Sequence, residues 1–505
     1  MKIKTLNKKA ITFLSSKWFF GLIVLTFVVQ AAWLAISARY PMAFDEEFHV
    51  GIIRLYANQW SPILTAQPDG PAPYGALTVE PSYLFHYLMS FPYRLFSAYL
   101  DSPIHVIVIM RLINVAFFAA SLFLFRQVML KTKASAALVH VTILFFVMIP
   151  VVPLLAAHVN YDNLMILMVA LSLLIALKFR EQLQKKRQCN AGLMLHVASF
   201  CMLASLVKYA FLPIFLAIAV YLAYILIKFV GSPSKIWRSF GKNWQTLTKV
   251  NRTIAVAVFL VSLGLFAQRY VVNVVRYQNF APQCGQVLSV ERCMAYGPWA
   301  RNYRFAESKT HTDANPVIFL GGWTYGMFYR SFFAINGPGG PSTYDNKPPP
   351  PLLAVTALVV FGFGVYITVR FRDKLFRRDP ALALLVFVAF VYVAVLMAKL
   401  YHSYVHLGAL LAINGRYLVQ VMPMILLPIG LAYQYFLPKR QQAAVVLVVF
   451  LLFLQGGGIL SYIHYSNKHW FRSDSQFITQ TNQKLQQVTD PFIVDWPKPV
   501  LDIIR

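Results

Sequence analysis

The sequence predicts an all-α protein that crosses a membrane about eleven times. Hydrophobic residues make up 58% of the 505 positions and charged residues 13%, which is about half the charged share of an ordinary soluble domain. Apolar segments long enough to cross the hydrocarbon core of a bilayer recur along the chain. Lys and Arg are concentrated in every second connection between these segments. Together these observations indicate a polytopic helical membrane protein.

The first apolar segment, 18–37, follows a basic N-terminus, 1–17, that carries five Lys residues. A cleaved signal peptide is the alternative. The apolar run is about 20 residues long, however, and no small-residue cleavage site follows it cleanly. We therefore predict a retained first span with residues 1–17 in the cytoplasm.

Ten further segments have the length and apolar character of membrane spans, if two short runs are counted as the arms of a hairpin. The arms are 192–206 and 210–228. The other predicted spans lie near 107–129, 136–155, 163–179, 253–275, 351–370, 381–399, 417–437 and 442–463.

The distribution of charge predicts the orientation of these spans. More than half of the 46 Lys and Arg residues fall in the N-terminus 1–17 and the short alternate connections, and only Glu181, Asp373 and Asp379 of the 18 acidic residues do so. By the positive-inside rule these connections are cytoplasmic, which places the C-terminus outside. The sole N-x-S/T site, Asn251 to Thr253, then falls inside, which suits a bacterial plasma (inner) membrane.

This orientation divides the chain into two transmembrane modules. The first, 18–230, includes an outer loop at 39–103, and the second, 231–463, includes an outer loop at 276–350. Residues 464–505 form a polar outer tail. A net charge of +28 is also typical of nucleic-acid binding, but cations in short loops between spans set topology and touch anionic lipid. No nucleic-acid partner is predicted.

The outer loops contain two structural features. In the first loop, 81–100 ("PSYLFHYLMSFPYRLFSAYL") has the pattern of an interfacial helix. In the second, Cys284 and Cys293 enclose eight residues, and an oxidising compartment favours a disulfide between them. Cys189 and Cys201 lie at the cytoplasmic side or within a span and are interpreted as packing residues. The Pro/Gly-rich 337–351 is expected to be an irregular link back to the membrane.

Three adjacent carboxylates, Asp45, Glu46 and Glu47, follow the first span. They repel one another, and consecutive helical residues point in different directions, so we do not expect all three to serve one site. The structural alternative is a helix start, because acids near a helix N-terminus interact favourably with its dipole. Acids at a membrane edge are costly enough to suggest a function.

Other ionisable residues are predicted at the same outer level. One of them is Asp162 in "NYDN". The alternative interpretation of this motif is a helix cap, which either Asn160 or Asp162 could supply. Each Lys or Arg at this level could instead be an interfacial anchor. Taken together, these cations suit the binding of a phosphate headgroup. The predicted substrate- and phosphate-binding residues are Asp162, Lys208, Arg416, His49, Arg111 and His402.

Four short motifs, taken in order, resemble the GT-C superfamily of membrane glycosyltransferases. They are "FDEEFH" after the first span, "NYDN" at the mouth of span 4, "LVKYAFLP" in the hairpin and the late "NGRYLVQVMP". The pattern is most similar to bacterial relatives of protein O-mannosyltransferases and of the aminoarabinose transferase that modifies lipid A. It is best over residues 18–230. Glu47 and the cysteine pair depart from these relatives.

The resemblance implies transfer of one sugar, with inversion, from a polyprenyl-phosphate carrier to an extracytoplasmic glycan, lipid or protein. Asp45 would be the general base, and Glu46 would position the acceptor or tune Asp45. Asp162 would orient a substrate, while Lys208 and Arg416 would hold the carrier phosphate. No cofactor is expected for a monophosphate donor. A diphosphate donor would favour a divalent cation at Asp45 and Glu46.

A secondary transporter is the main alternative, and a flippase or scaffold without catalysis is a further one. A transporter predicts ionisable residues near the bilayer midplane and repeats within the sequence. Here the ionisable residues gather at the outer edge and two long outer loops are present. The sequence therefore favours an enzyme.

Overall fold

The computed structural model describes residues 9–42, 45–308, 315–332, 351–454, 457–465, 470–472 and 474–492. Within these ranges the protein is all-α and contains no β-strand, apart from one isolated bridge between Ala38 and Phe471. The Pro/Gly-rich 337–351 lies outside the described residues except for Pro351.

Nine α-helices between residues 17 and 229 of the described chain precede the first long basic connection. Their positions agree with the predicted spans and with the predicted helix in the first outer loop. They are α1 (Lys17–Ser37), α2 (Glu46–Ala57), α3 (Leu84–Ser97), α4 (Pro103–Met129), α5 (Ala136–Met148), α6 (Val151–Ala156), α7 (Tyr161–Lys186), α8 (Ala191–Val207) and α9 (Leu212–Phe229).

The second half continues with surface helices and further long helices. A five-residue π-helix, Ala267–Val271, separates α11 from α12. The helices are α10 (Pro233–Thr246), α11 (Lys249–Phe266), α12 (Val272–Tyr277), α13 (Val290–Cys293), α14 (Gly297–Glu307), α15 (Pro316–Phe332), α16 (Pro351–Arg370), α17 (Arg372–Phe376), α18 (Pro380–Leu407), α19 (Met422–Phe436), α20 (Lys439–Leu454), α21 (Leu460–Tyr465) and α22 (Gln476–Thr489).

By length and composition, six described helical segments can cross a membrane. They include α1, α4, α7 and α18. Four shorter apolar helices, 10 to 17 residues long, correspond to further predicted spans. The helices thus support the prediction of an all-α polytopic protein.

Local sequence explains where the predicted spans are broken. Span 136–155 becomes α5 and α6 because Pro150 forces the preceding Ile149 into an extended conformation. In the hairpin, Lys208 is extended and ends α8. Asn160, not Asp162, caps α7 by accepting a hydrogen bond from the backbone N–H of Asp162.

The packed centre lies where α1, α4, α5 and α7 meet. Three fully buried rings meet there: the ring centroid of Phe118 lies 5.1 Å from that of Phe27 and 6.0 Å from that of Phe146. Because lipid tails are as apolar as these side chains, close packing rather than exclusion of water holds such helices together. The tail residues Trp470 and Arg472 hydrogen-bond the backbone of Arg39 and Ser37 at the end of α1. This arrangement fixes the start of the loop that carries Asp45.

Candidate active site

A cavity of about 590 Å³ lies beside the N-terminal end of α2. It combines two exposed acids and a guanidinium with aromatic and proline side chains. Its lining residues include Asp45, Glu46, Glu47, Phe48, His49, Tyr74, Tyr161, Tyr296, Pro298, Asn414 and Arg416. Segments that are far apart in the chain therefore share one pocket.

Asp45 immediately precedes α2 and presents its carboxylate to the cavity. Its backbone is left-handed, with φ 63° and ψ 30°, and its side chain does not cap the helix. The side chain is 60% exposed, and its Oδ2 accepts a hydrogen bond from Nη2 of Arg416 at 2.8 Å. A non-glycine residue in this conformation is uncommon and costs free energy. Asp45 thus lies at a helix start, as the structural alternative predicts, but its carboxylate does not cap the helix.

Glu46 faces the opposite way and is buried in an ion pair with Arg111. Its Oε1 and Oε2 accept from Nε and Nη2 of Arg111 at 2.8 Å and 2.7 Å, and both side chains are 0% exposed. The backbone N–H groups of Met42 and Val159 donate to the same carboxylate. Burial raises the pKa of Glu46, but the charge and hydrogen bonds of Arg111 outweigh it and the pKa is lowered. The carboxylate is therefore ionised and fully engaged.

Arg111 has no donor left for a substrate. Its remaining N–H groups donate to the backbone oxygens of Ala35, Ala38 and Arg39, which completes the five donors of a guanidinium. The structure thus places Arg111 in a clamp that joins the end of α1, the start of α2 and α4. The predicted role of Arg111 in substrate binding would require one of these hydrogen bonds to open. The same clamp leaves Glu46 without a free oxygen to contact an acceptor or to share a cation with Asp45.

Asp162 and Lys208 form a second buried ion pair, 2.6 Å long. Nε2 of Gln420 also donates to Asp162 at 2.6 Å. Lys208 lies over the ring of Tyr161, 4.4 Å from its centroid, and neither member of the pair lines the cavity. The charge of Lys208 is therefore already neutralised behind the wall that Tyr161 forms.

The two predicted histidines lie in different places. His49 lines the cavity, and its Nδ1 is 2.9 Å from Nε2 of His86. Burial lowers the pKa of both rings, that of His86 to about 3, so both are neutral at pH 7. His402 is exposed on α18, stacks on His406 and is not part of the cavity wall.

An aromatic wall, formed by Phe48, Tyr74, Tyr161 and Tyr296, lines the cavity beside Asp45. The rings of Phe48 and Tyr296 are stacked with centroids 5.7 Å apart, and Tyr74 lies 5.8 Å from Phe48. Sequence reasoning missed this wall, since Tyr296 lies 251 positions after Asp45 and only the fold brings them together. Aromatic faces beside a carboxylate suit a ligand that has apolar C–H faces and hydroxyl groups.

The second outer loop holds Tyr296 in this wall. The predicted disulfide, Cys284 to Cys293, is formed, and Cys189 and Cys201 are free and buried. Next to the disulfide, Arg292 donates to the backbone oxygens of Gly70 and Pro68 at 2.9 Å and 2.6 Å. The cavity is thus closed on one side by contact between the two outer loops.

Sequence reasoning also missed Arg269, a buried cation in the π-helix. Its Nη1 donates to the backbone oxygen of Thr78, whereas Nε and Nη2 have no hydrogen-bond partner among the described residues. Its guanidinium lies 4.9 Å from the ring centroid of Tyr83. Burial raises the pKa of nearby Glu80, and the charges of Arg269 and Lys399 oppose that rise. π-Helices often occur at functional sites, and an open guanidinium fork suits an anion.

The described residues contain no group of three or more His, Cys, Asp or Glu side chains placed to hold a metal ion. Asp45 and Glu46 direct their carboxylates to different arginines. A cation shared by these two acids would therefore require the Glu46–Arg111 pair to open.

Comparison with solved structures finds similar chains. One of them is the oligosaccharyltransferase of Archaeoglobus fulgidus in the apo form, with a TM-score of 0.41 and 13% sequence identity. The similarity covers 95% of this chain and 61% of that chain, so this chain spans about three fifths of its length. No family model and no curated protein matches the sequence. The role of each site residue therefore has to be decided by its own contacts.

Proposed function

We propose that this protein is a membrane glycosyltransferase of the GT-C type, which moves a sugar from a polyprenyl-phosphate carrier to a hydroxyl of an extracytoplasmic acceptor. The observation that carries the proposal is the Asp45–Arg416 pair in the wall of the cavity. In this pair a carboxylate, proposed as the base, lies next to a guanidinium, proposed as the phosphate ligand, and the reaction needs both groups.

The chemistry is a single displacement at the anomeric carbon. The acceptor oxygen forms a bond to this carbon while the bond to the carrier phosphate oxygen breaks, so the configuration inverts. The acceptor proton passes to Asp45, and the electron pair of the broken bond leaves with the polyprenyl phosphate. The exposed carboxylate of Asp45 is accessible to a hydroxyl group, and Arg416 holds it in place.

The phosphate is proposed to bind Arg416, with Arg269 as a second candidate ligand. The sequence-based prediction combined Arg416 with Lys208, but the ammonium of Lys208 already has Asp162 as a partner. Arg269 is supported by Nε and Nη2, which have no hydrogen-bond partner in the described part of the chain. Its charge also acts on the hydroxyl of Tyr56. The acceptor or donor sugar is proposed to lie against the aromatic wall.

Glu46 and Arg111 take a positioning role in this proposal. Their pair holds the first turn of α2 against α1 and α4, and Asp45 is the residue immediately before that turn. The acceptor is not contacted by Glu46.

The test is a transfer assay with purified protein, labelled polyprenyl-phosphate sugars and envelope extract as the acceptor. Loss of a general base lowers a reaction rate by roughly 10²- to 10⁴-fold. Asp45→Asn should therefore lower the rate of sugar transfer by a similar factor while leaving the protein folded. Glu47→Gln is the matched control, because Glu47 is exposed in the same cavity and should retain most activity. Full transfer by Asp45→Asn would reject Asp45 as the base. Saturable transport of a soluble solute without sugar transfer would favour the transporter alternative.

A further inference from the structure

Helix α10, Pro233–Thr246, carries three separate stripes of side chains on the face of the molecule away from the cavity. It has no buried residue. In a helix, residues three and four apart share a face, so eight of its 14 residues form a protein-facing, an aromatic and a basic stripe.

The protein-facing stripe fixes how the helix is rotated. Ser239 and Asn243, one turn apart, accept hydrogen bonds from the backbone N–H groups of Cys189 and Ala191 at 2.8 Å and 2.9 Å. Both donors lie in the connection between α7 and α8 or at its end. Arg252 fixes the other end of the helix by donating to the backbone oxygens of Gln245 and Leu247.

The aromatic stripe consists of Trp237, Phe240 and Trp244. Their rings are stacked in succession, with centroids 5.9 Å and 6.1 Å apart. Trp237 is 76% exposed, whereas Phe240 and Trp244 are partly buried and Phe240 packs against the hydrophobic core. The ring of Trp237 is therefore the most exposed part of this stripe. Tryptophan is enriched at the level of lipid headgroups, where one side of its ring contacts hydrocarbon and its N–H remains hydrated.

The basic stripe consists of Lys235, Arg238 and Lys242, all exposed. None forms an ion pair within the part of the chain that the structure describes. The sequence has no acidic residue between Glu181 and Glu291, so no acid of this segment can neutralise the stripe.

Connectivity decides which partner these stripes meet. The helix joins two span-length segments, Tyr209–Phe229 and Lys249–Tyr277, through connections of only three and two residues. Neither end can move far from the ends of those spans. An amphipathic helix held in this position lies in the membrane interface.

We propose that α10 is a binding surface for anionic phospholipids of the leaflet away from the cavity. The aromatic stripe sits at headgroup level, and Lys235, Arg238 and Lys242 bind the phosphate groups of anionic lipids. This inference is independent of the proposed transfer reaction.

The test compares phospholipid binding to full-length variants in detergent by native mass spectrometry, with phosphatidylglycerol and phosphatidylcholine as probes. Replacing the stripe, Lys235→Gln with Arg238→Gln and Lys242→Gln, should weaken phosphatidylglycerol binding on the order of tenfold or more. Phosphatidylcholine binding should stay unchanged. The matched control removes three exposed charges from α7, with Lys178→Gln, Lys185→Gln and Lys186→Gln, and should retain phosphatidylglycerol binding.

Unchanged phosphatidylglycerol binding by the α10 variant would overturn the proposal, as would an equal loss in the α7 control or equal binding of both lipids by the unmodified protein. A second measurement keeps the test valid if the triple variant is unstable. Trp237→Phe with Trp244→Phe should remove part of the fluorescence quenching that brominated phosphatidylglycerol causes in reconstituted protein. Unchanged quenching would place the aromatic stripe away from the bilayer and contradict the proposal.

Discussion

Asp45 and Glu46 are neighbours in the chain but have opposite surroundings. The carboxylate of Asp45 is largely exposed beside Arg416, whereas that of Glu46 is completely buried against Arg111. Successive residues at a helix start differ in direction by about 100°, so one residue can face a cavity while the next faces the core. The sequence predicts this divergence in general terms but not which acid takes which direction.

Removing the carboxylate of a buried ion pair should lower the free energy of unfolding far more than removing that of an exposed ion pair. In Glu46→Gln the charge of Arg111 remains buried without its carboxylate, and we expect a destabilisation of about 3–5 kcal/mol. Glu181→Gln is the control, because the Lys131–Glu181 pair is 31% and 38% exposed and such pairs contribute about 0–1 kcal/mol. Thermal unfolding in detergent, followed by tryptophan fluorescence, measures both. Equal shifts of the unfolding temperature in the two variants would show that the Glu46–Arg111 pair does not stabilise the protein as proposed.

The buried histidines should make the protein less stable in mild acid. Burial lowers the pKa of His86 from 6.5 to about 3, so between these values the unfolded chain binds more protons than the folded one. Stability therefore falls as pH drops below about 6.5, by about 2 kcal/mol per such histidine at pH 5. The lowered pKa of Glu46 keeps its ion pair charged in this range.

The comparison of His86→Phe with His402→Phe tests this pH dependence. The loss of unfolding free energy between pH 7 and pH 5 should be smaller in His86→Phe than in the unmodified protein. His402 is exposed, so its replacement should leave the loss unchanged. If His86→Phe loses as much stability as the unmodified protein, His86 is not neutral in the folded state.

At the scale of elements, local sequence predicts helices well and their contacts poorly. The predicted spans near 18–37, 107–129 and 192–206 correspond to α1, α4 and α8, because length and hydropathy are local properties. The π-helix around Arg269 and the insertion of Tyr296 depend on contacts with the first outer loop. Nothing within 20 residues of either position encodes those contacts. The same holds for the ion pairs that use Arg111 and Lys208.

A close approach between elements sets the position of Arg416. A Cβ on Gly415 would lie 2.7 Å from the backbone oxygen of Met327 and 2.7 Å from the backbone nitrogen of Ser331, and it would overlap the Ser331 hydroxyl. Gly415→Ala must therefore displace α15 or the short helix that begins at Gly415, at a cost of about 1–3 kcal/mol. Because Arg416 follows directly, transfer activity should fall as well.

Gly362→Ala is the matched control for this substitution. Gly362 lies in α16, and a Cβ there would meet no atom within 4 Å. Alanine also favours the helix over glycine, so stability should be equal or slightly higher. Thermal unfolding and the transfer assay together measure both variants. Normal activity and stability in Gly415→Ala would show that the approach to α15 does not position Arg416.

At the scale of the whole molecule, the two ends of the helical bundle differ in charge and chemistry. The cavity end contains Asp45, Glu47 and the aromatic wall. The opposite end contains the basic, acid-free connection around α10. This asymmetry predicts that the cavity faces away from the cytoplasm.

Labelling with a membrane-impermeant maleimide tests this orientation in intact cells. Ser308→Cys, after α14 in the second outer loop, and Ser234→Cys, in α10, both introduce a thiol at an exposed position. The native cysteines give little background, since Cys284 and Cys293 are paired and the other two are buried. We expect Ser308→Cys to react in intact cells and Ser234→Cys to react only after permeabilisation. The reverse pattern would place the cavity in the cytoplasm, where nucleotide-activated sugars are available, and would remove the reason for a lipid-linked donor. The expected pattern would agree with the proposed lipid-linked donor, because a polyprenyl phosphate can carry a sugar to the outer side of the membrane.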